Sequence, residues 1–403
     1  MAEALFSDLN ELARFGADKT GGISRTAFSP AFVEAQGWLL QRMAEAGLAV
    51  RIDAAGNVIG RHGPQGPAVV SASHIDTVPN GGAFDGALGV IAGLEAFRRL
   101  KARGHVFDRA IEIIAFADEE GEYFSLFGSR AMLGLVTPEE IAAALGGKGQ
   151  SLTEALREAG LDPTKVAHAR RSKRDFHAYV ELHIEQGPVL ERLGRAVGIV
   201  TNIVGIEVTE FAFTGRPDHS GTTPLDMRQD ALRAAIEFCK ACYDLARAAD
   251  PALRLNFGAL SITPKALNVV PGRVVLQQEL RHPDPAILSA VAQESWRMAE
   301  GCASRLGVSA QWKTLSRDEP AAMDREMQAL LHSCAEGLGI EVHDLASGAG
   351  HDAQLFATAC PTGMVFVQST GGRSHCPEES SPPEAISQAV AVLTEGLARL
   401  TRA

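Results

Sequence analysis

Residues 68–93 read AVVSASHIDTVPNGGAFDGALGVIAG, and this stretch decides the fold class. Ala68–Ser73 is a short apolar run of strand length. Asn80–Gly86 is a glycine-rich loop, and from Ala87 to Lys101 apolar residues return at helical spacing. Further buried strands are predicted at Ala110–Ala117 (AIEIIAFA), Ala178–His183 (AYVELH) and Met364–Val367. Apolar strands separated by helices predict an α/β fold, a mixed and largely parallel sheet flanked by helices.

The pattern changes near Gly205. Glu207–Thr214 alternates like a half-exposed strand, Pro224–Asp250 reads as one long helix, Asn256–Thr263 and Arg273–Arg281 as strands, and Pro285–Leu306 as a second helix. The α/β pattern then resumes with helices at Met323–Leu338 and Pro383–Arg399. The organisation expected is an α/β domain of residues 1–206 and 317–403, interrupted by a compact α+β domain of residues 207–316. A chain of 403 residues is longer than one hydrophobic core usually fills.

Bulk properties narrow the function. Apolar residues make up 46% and charged residues 22%, an ordinary globular balance. A net charge of -11 argues against nucleic acid, whose binding relies on neutralising phosphates with Lys and Arg. No apolar run has the length of a membrane span, and Met1–Asn10 lacks the basic start of a signal peptide. Six scattered cysteines (Cys239, Cys242, Cys302, Cys334, Cys360 and Cys376) suit a reducing cytoplasm better than a disulfide framework. Cys239 and Cys242 form a C-x-x-C pair, but inside a helical pattern, where they read as two buried thiols.

Five polar clusters carry the chemistry, and they fall where strands end, the place where ligands gather in open α/β sheets. In the first, His74 and Asp76 are spaced to share a face of an extended chain, so the Asp76 carboxylate could hydrogen-bond the second ring nitrogen of a metal-bound His74. In the second, Asp85 closes the glycine-rich loop and could equally cap the following helix. The third, Asp118-Glu119-Glu120, sets adjacent carboxylates side by side, an arrangement relieved by a cation, a shared proton or solvent. His183-Ile184-Glu185-Gln186 and Ser374-His375-Cys376 complete the set. Singly, each has a structural explanation. Together they supply the nitrogen and oxygen donors that suit zinc, manganese or cobalt. Two such ions need more than three ligands and a bridging carboxylate, which this set provides, and proton transfer needs a spare one; the Glu119–Glu120 pair offers one carboxylate to ligate and one to move protons.

The segments HIDTVPNGGAFDGALGV, FADEEG, ELHIEQGP, GTTP, NVVPG, SGAGHDA and SHCPEE resemble, in order, those of N-carbamoyl-L-amino-acid hydrolases and allantoate amidohydrolases. These belong to a larger family of dinuclear-metal aminoacylases and exopeptidases. The resemblance implies a zinc-exopeptidase-like fold with an inserted lid or dimerisation domain, and two divalent ions per subunit (zinc, or manganese, cobalt or nickel). It assigns His74 and His183 to different ions, Asp85 as their bridge, Glu120 to one site and His375 to the other. Glu119 becomes the general base and Asp76 the partner of His74. Related enzymes often carry a cis peptide after the bridging Asp, and Gly86 fits that position, but non-proline cis bonds are rare and the sequence leaves the bond open. The substrate carboxylate falls to Asn268 and to Arg281, whose fork suits bidentate binding. His219 is implied to reach the active site of a partner subunit in a homodimer and steady the oxyanion. Gln186, Gly350 and His351 are implied to be further substrate contacts.

Three positions depart from the family pattern: Asp218-His219-Ser220 stands for Asn-His-Ala, Glu279 replaces an Asp, and Cys376 follows His375 where Asn or Ser is commoner. None is an expected ligand. The phrase NGGAFDGALGV favours N-carbamoyl-L-α-amino acids over allantoate, with 3-ureidopropionate or N-acyl amino acids as further alternatives. A non-catalytic protein on the same scaffold would be expected to lose a ligand or Glu119, and all are present. GALGVIAG at Gly86–Gly93 lacks the G-x-G-x-x-G spacing of a dinucleotide fingerprint.

Overall fold

The computed structural model describes residues 2–402. The chain separates into two compact units, Asn202–Ala321 and the flanking segments Met1–Thr201 with Ala322–Ala403.

The strands, in chain order, are β1 (Ala49–Ile52), β2 (Val58–His62), β3 (Ala68–His74), β4 (Ala110–Phe116), β5 (Phe176–Ile184), β6 (Val197–Ile203), β7 (Gly205–Thr214), β8 (Arg254–Thr263), β9 (Arg273–His282), β10 (Ser309–Asp318), β11 (Ala321–Ala322), β12 (Val342–Ser347) and β13 (Thr362–Val367). The larger unit is built on a sheet of order β1-β2-β4-β3-β5-β13-β6-β11, with β12 also paired to β6. Its middle strands β4, β3, β5 and β13 are mutually parallel, while β1, β2 and β6 join antiparallel. The expected mixed, largely parallel sheet flanked by helices is therefore present. Strands β3, β4 and β13 are buried at every position, as expected of strands covered on both faces.

Helix Ala87–Ala102 links β3 to β4 and lies almost wholly within the core. Two of its glycines explain how closely it sits. A Cβ on Gly89 would fall 2.2 Å from the Leu182 carbonyl oxygen and 2.7 Å from Ser73 Cβ, and one on Gly93 would fall 2.8 Å from Ser71 Oγ. The glycines of GALGVIAG thus let a helix backbone approach β3 and β5. Phe97, Val90 and Leu94 of this helix share the core with Val390, Leu393 and Leu397 of the C-terminal helix Pro383–Leu400.

The smaller unit has a four-stranded antiparallel sheet, β10-β7-β9-β8. Alternate residues of β7 and β9 point inward, and Phe211, Phe213, Val274 and Leu276 pack with Phe238 and Cys302 of helices Ala231–Ala249 and Pro285–Arg305. The long helix expected from Pro224 begins only at Ala231. Asp230 accepts the Leu232 and Arg233 N–H groups at 2.9 and 3.2 Å and caps it, and Leu225–Met227 forms a separate 3-10 turn.

All six cysteines carry free thiols. Burial pushes Cys239 and Cys242 up to about 11 and about 12, so the C-x-x-C pair is a packing feature with little thiolate. No described helix is long and apolar enough to cross a membrane.

Gly89→Ala tests the close approach. On an exposed helix the change would stabilise by about 1 kcal/mol, but the added methyl meets backbone here and is expected to cost about 1–3 kcal/mol net. Urea unfolding monitored by circular dichroism measures it, and a midpoint equal to or above that of the parent would show that the helix can lift off the sheet.

Candidate metal centre

The parallel strands deliver the site. His74 is the last residue of β3, and β5 carries His183 one residue from its end. Glu119 and Glu120 follow β4, and His375 lies in the loop after β13. Between β3 and its helix, the loop 81–86 turns Asp85 back over the strand ends. Gly86, at φ +62°, sits where a Cβ would lie 2.3 Å from the His74 ring, so only glycine leaves room for that imidazole. The Asp85–Gly86 bond is trans, since Thr263–Pro264 is the only cis peptide among the described residues. The chain reverses at Gly86 through its positive φ.

Asp85 is the centre of the cluster. Its Oδ1 lies 3.1 Å from His183 Nε2 and 3.6 Å from His74 Nε2. Its Oδ2 lies 3.2 Å from His375 Nε2, and His375 Nε2 is 3.4 Å from Glu120 Oε2. Two donor sets share Asp85, His74–Asp85–His183 and Asp85–Glu120–His375, each with its ligand atoms within 4.8 Å of one another; a third group without Asp85, Glu181–His183–His351, meets the same spacing. The grouping differs from the one the resemblance implies. His74 and His183 fall on the same oxygen of Asp85, because their strands are neighbours in the sheet, and Glu120 and His375 fall together on the other side. Nor does Asp85 cap the helix: the cap residue is Gly86, without a side-chain bond.

The donors fit a pair of divalent ions. They are imidazole nitrogens and carboxylate oxygens in the proportions such ions take, and Glu120 Oε1 is buried without a hydrogen-bond partner. Ring orientation is fixed from behind. His183 Nδ1 lies 2.9 Å from the Ile184 carbonyl oxygen, and His74 Nδ1 lies 3.1 Å from that of Asp76. The expected Asp76 carboxylate contact is longer, 3.7 Å, because β3 ends at His74 and the chain no longer alternates beyond it. Asp76 Oδ2 instead accepts the Glu120 N–H at 3.1 Å.

The carboxylate run after β4 divides its labour by backbone conformation. Asp118, at φ +55°, turns away and accepts the Phe124 N–H at 2.8 Å, shaping the loop. Glu119 points inward, with Oε2 3.6 Å from His74 Nε2, and it belongs to neither donor set. Burial holds its carboxyl well above the usual range, with Asp352 and Glu120 adding to the effect against the pull of His74.

The remaining expected residues are placed as follows. Gln186, at φ +57°, donates through Nε2 to Asp85 Oδ2 at 2.7 Å. His351 is buried, with Nε2 2.8 Å from Ser347 Oγ and its ring edge-on to His183 at 4.4 Å between centroids. Gly350 precedes it, half-buried. In the smaller unit, His219 pairs with Val269 in an isolated bridge, and the Ser220 N–H donates to the Asn268 carbonyl oxygen at 3.0 Å, so His219 and Asn268 are neighbours. Arg281, on β9, is gripped by Glu279 through Nε at 2.8 Å and Nη2 at 3.1 Å. Residues not singled out from the sequence also reach the centre: Ser374 donates to Asp85 Oδ2 at 2.7 Å, and Glu379 accepts the Asp85 N–H at 3.0 Å.

Residues 70–399 match the model of peptidase family M20/M25/M40. The chain belongs to this family. Among its relatives, an N-carbamoyl-L-amino-acid amidohydrolase of Paenarthrobacter aurescens is 38% identical, covering 94% of this chain and 93% of the relative. An allantoate amidohydrolase of Escherichia coli K12 is 36% identical, covering 94% and 92%. The crystal structure of a hydantoinase/carbamoylase family amidase from Burkholderia multivorans has a TM-score of 0.90 and 31% identity, covering 100% of this chain and 98% of the other. The M20 family is dinuclear-metal-dependent, and the two donor sets sharing Asp85 suit that chemistry.

Protons occupy the cluster when cations do not. The hydrogen bond to Asp85 holds His375 up at about 9, and burial, then Asp85, raises Glu120 to about 7. At neutral pH the metal-free site therefore carries a proton on His375 and a fractional one on Glu120, and His74, raised well above its ordinary value chiefly by Glu119 against burial, holds one too; divalent ions must displace them. Metal affinity is expected to rise with pH from about 6 to about 9, with release of roughly one proton or more per loaded centre at pH 7. Calorimetry in buffers of different ionisation enthalpy measures the release, and none at pH 7 would contradict this protonation pattern.

Proposed function

We propose that the chain hydrolyses N-carbamoyl-L-α-amino acids to the free amino acid, carbon dioxide and ammonia, as a metal-dependent amidohydrolase acting on linear, non-peptide C–N bonds. The observation that carries the reading is the Asp85-centred ligand cluster with Glu119 beside it: a carboxylate left over from ligation, buried, and 3.6 Å from a ligand nitrogen. His74, Asp85 and His183 would hold one ion, and Asp85, Glu120 and His375 the other. When bound, such a pair polarises the ureido carbonyl and makes water acidic enough to react near neutral pH.

Glu119 takes a proton from the attacking water and returns it to the departing nitrogen, work for which a raised carboxyl pKa is suited. Asp76 anchors the Glu120 backbone and, through its carbonyl, the His74 ring. Arg281, oriented by Glu279, and Asn268 receive the substrate carboxylate; a guanidinium fork matches that group in two bonds. Gln186, the backbone at Gly350 and nearby His351 supply further substrate contacts. His219 comes from the partner subunit of a homodimer to steady the oxyanion, which makes the smaller unit a lid and dimerisation module. A cytoplasmic setting is part of the same proposal, since free thiols suit a reducing compartment. The ions are zinc, manganese, cobalt or nickel.

Allantoate is the second reading, because relatives of both names stand at 38% and 36% identity. An ammonia-release screen of the chain loaded with each of the four metals separates them. Turnover of N-carbamoyl-L-amino acids well above that of allantoate and 3-ureidopropionate, lost on chelation and restored by the ion, is expected. Preference for allantoate would replace the first reading with the second, and full activity after verified metal removal would refute both. Glu119→Gln is expected to keep both ions by elemental analysis while kcat falls by about 10²–10⁴; near-normal kcat would take the base role from Glu119.

A further inference from the structure

Glu379 is buried at 5% exposure, and no Lys or Arg pairs with it among the described ion pairs. A lone buried carboxylate persists only when its oxygens are well hydrogen-bonded, and these are. Oε1 accepts the N–H of Phe84 at 2.8 Å and of Asp85 at 3.0 Å, 294 residues away in sequence. Oε2 accepts from Ser374 Oγ at 2.8 Å, and the same hydroxyl lies 2.7 Å from Asp85 Oδ2. A hydroxyl has one proton, so Glu379 and Asp85 share it.

Space for this arrangement is provided at Gly82, where a Cβ would lie 2.1 Å from Glu379 Oε1. One side chain thus ties together the loop that presents Asp85, common to both donor sets, and the loop that presents His375. Both loops need holding. His375 has a left-handed φ of +56°, unfavourable for a residue with a Cβ, and its side chain is 49% exposed, so packing alone does not fix it.

We propose that Glu379, acting through Ser374 and the Phe84–Asp85 backbone, is a positioning residue that sets the spacing of Asp85 and His375 and so governs divalent-ion affinity at the Asp85–Glu120–His375 set. It touches no substrate. Resting on the metal-centre reading above, it predicts that breaking the tie weakens metal binding before it weakens the fold.

The test uses the full chain, stripped of metal and titrated with cobalt(II), following the visible spectrum and competition with a chelating dye. The parent must bind the ion at this cluster; if it does not, the metal-centre reading itself fails. With that in hand, Glu379→Gln is expected to weaken one of the two ions, that of the Asp85–Glu120–His375 set, about 10- to 100-fold and to alter the cobalt spectrum, with the metal-free melting temperature little changed. Ser374→Ala should act in the same direction, and the double variant should fall short of the product of the two effects, since both cut one link. Affinity and spectrum like the parent's in Glu379→Gln overturn the proposal, as does a lowered metal-free melting temperature with unchanged affinity. If Glu379→Gln does not fold, Ser374→Ala decides, and parent-like affinity there overturns it.

Discussion

Like charges held at close range in a nearly dry place are the constraint around which the larger unit is organised. Asp76, Asp85, Glu119 and Glu379 are all at most 9% exposed, and their mutual repulsion must be met by something. The histidines meet part of it. Burial alone would raise Asp85, yet hydrogen bonds from His183, His375 and His74 hold it well below the usual carboxylate range. In return His74, which burial alone would lower, is raised well above its ordinary value by Glu119, then by its bond to Asp85 and by Asp76. The site is thus preloaded with protons that a pair of cations can exchange for. Preorganised donors of this kind do not have to be gathered when substrate arrives.

The surrounding architecture follows from that need. Parallel strands end at a common edge, which lets β3 and β5 bring two histidines to one oxygen of Asp85. Glycines admit the close contacts: Gly86 under the His74 ring and Gly82 against Glu379. Left-handed residues at Asp118, Gln186 and His375 redirect the chain at strand ends, where three successive carboxylates or a single histidine must point in different directions.

Much of this was legible in the sequence, and the parts that were not have a common cause. The strands AVVSAS, AIEIIAFA and AYVELH read correctly because buried parallel strands leave near-continuous apolar runs. β10 was not read as a strand, since SAQWKTLSRD is mostly exposed and lacks a clear period. The five ligand candidates could be recognised by residue type and placement at strand ends. Their partition could not, because which histidine faces which carboxylate oxygen depends on strand adjacency, a long-range property. The same limit hid Glu379 and Ser374. Each looked like loop polarity beside His375, and the partner that gives them meaning lies in the loop of Asp85. The packing of the His351 ring on His183 is another contact between distant segments that the sequence does not announce.

The sheet order β5-β13-β6 has a consequence for biogenesis. β13 is the last strand to be synthesised, yet it belongs between two strands made far earlier. Until residue 367 has left the ribosome, β5 and β6 have no neighbour on their facing sides, and exposed strand edges are templates for intermolecular pairing. The nascent chain must therefore pass through a stage at which the smaller unit can be complete while the larger one gapes at its centre. His375 follows that closing strand, so the second donor set forms only after residue 375 has emerged. Acquisition of the full ion complement would then mark a chain whose translation has run past its last strand.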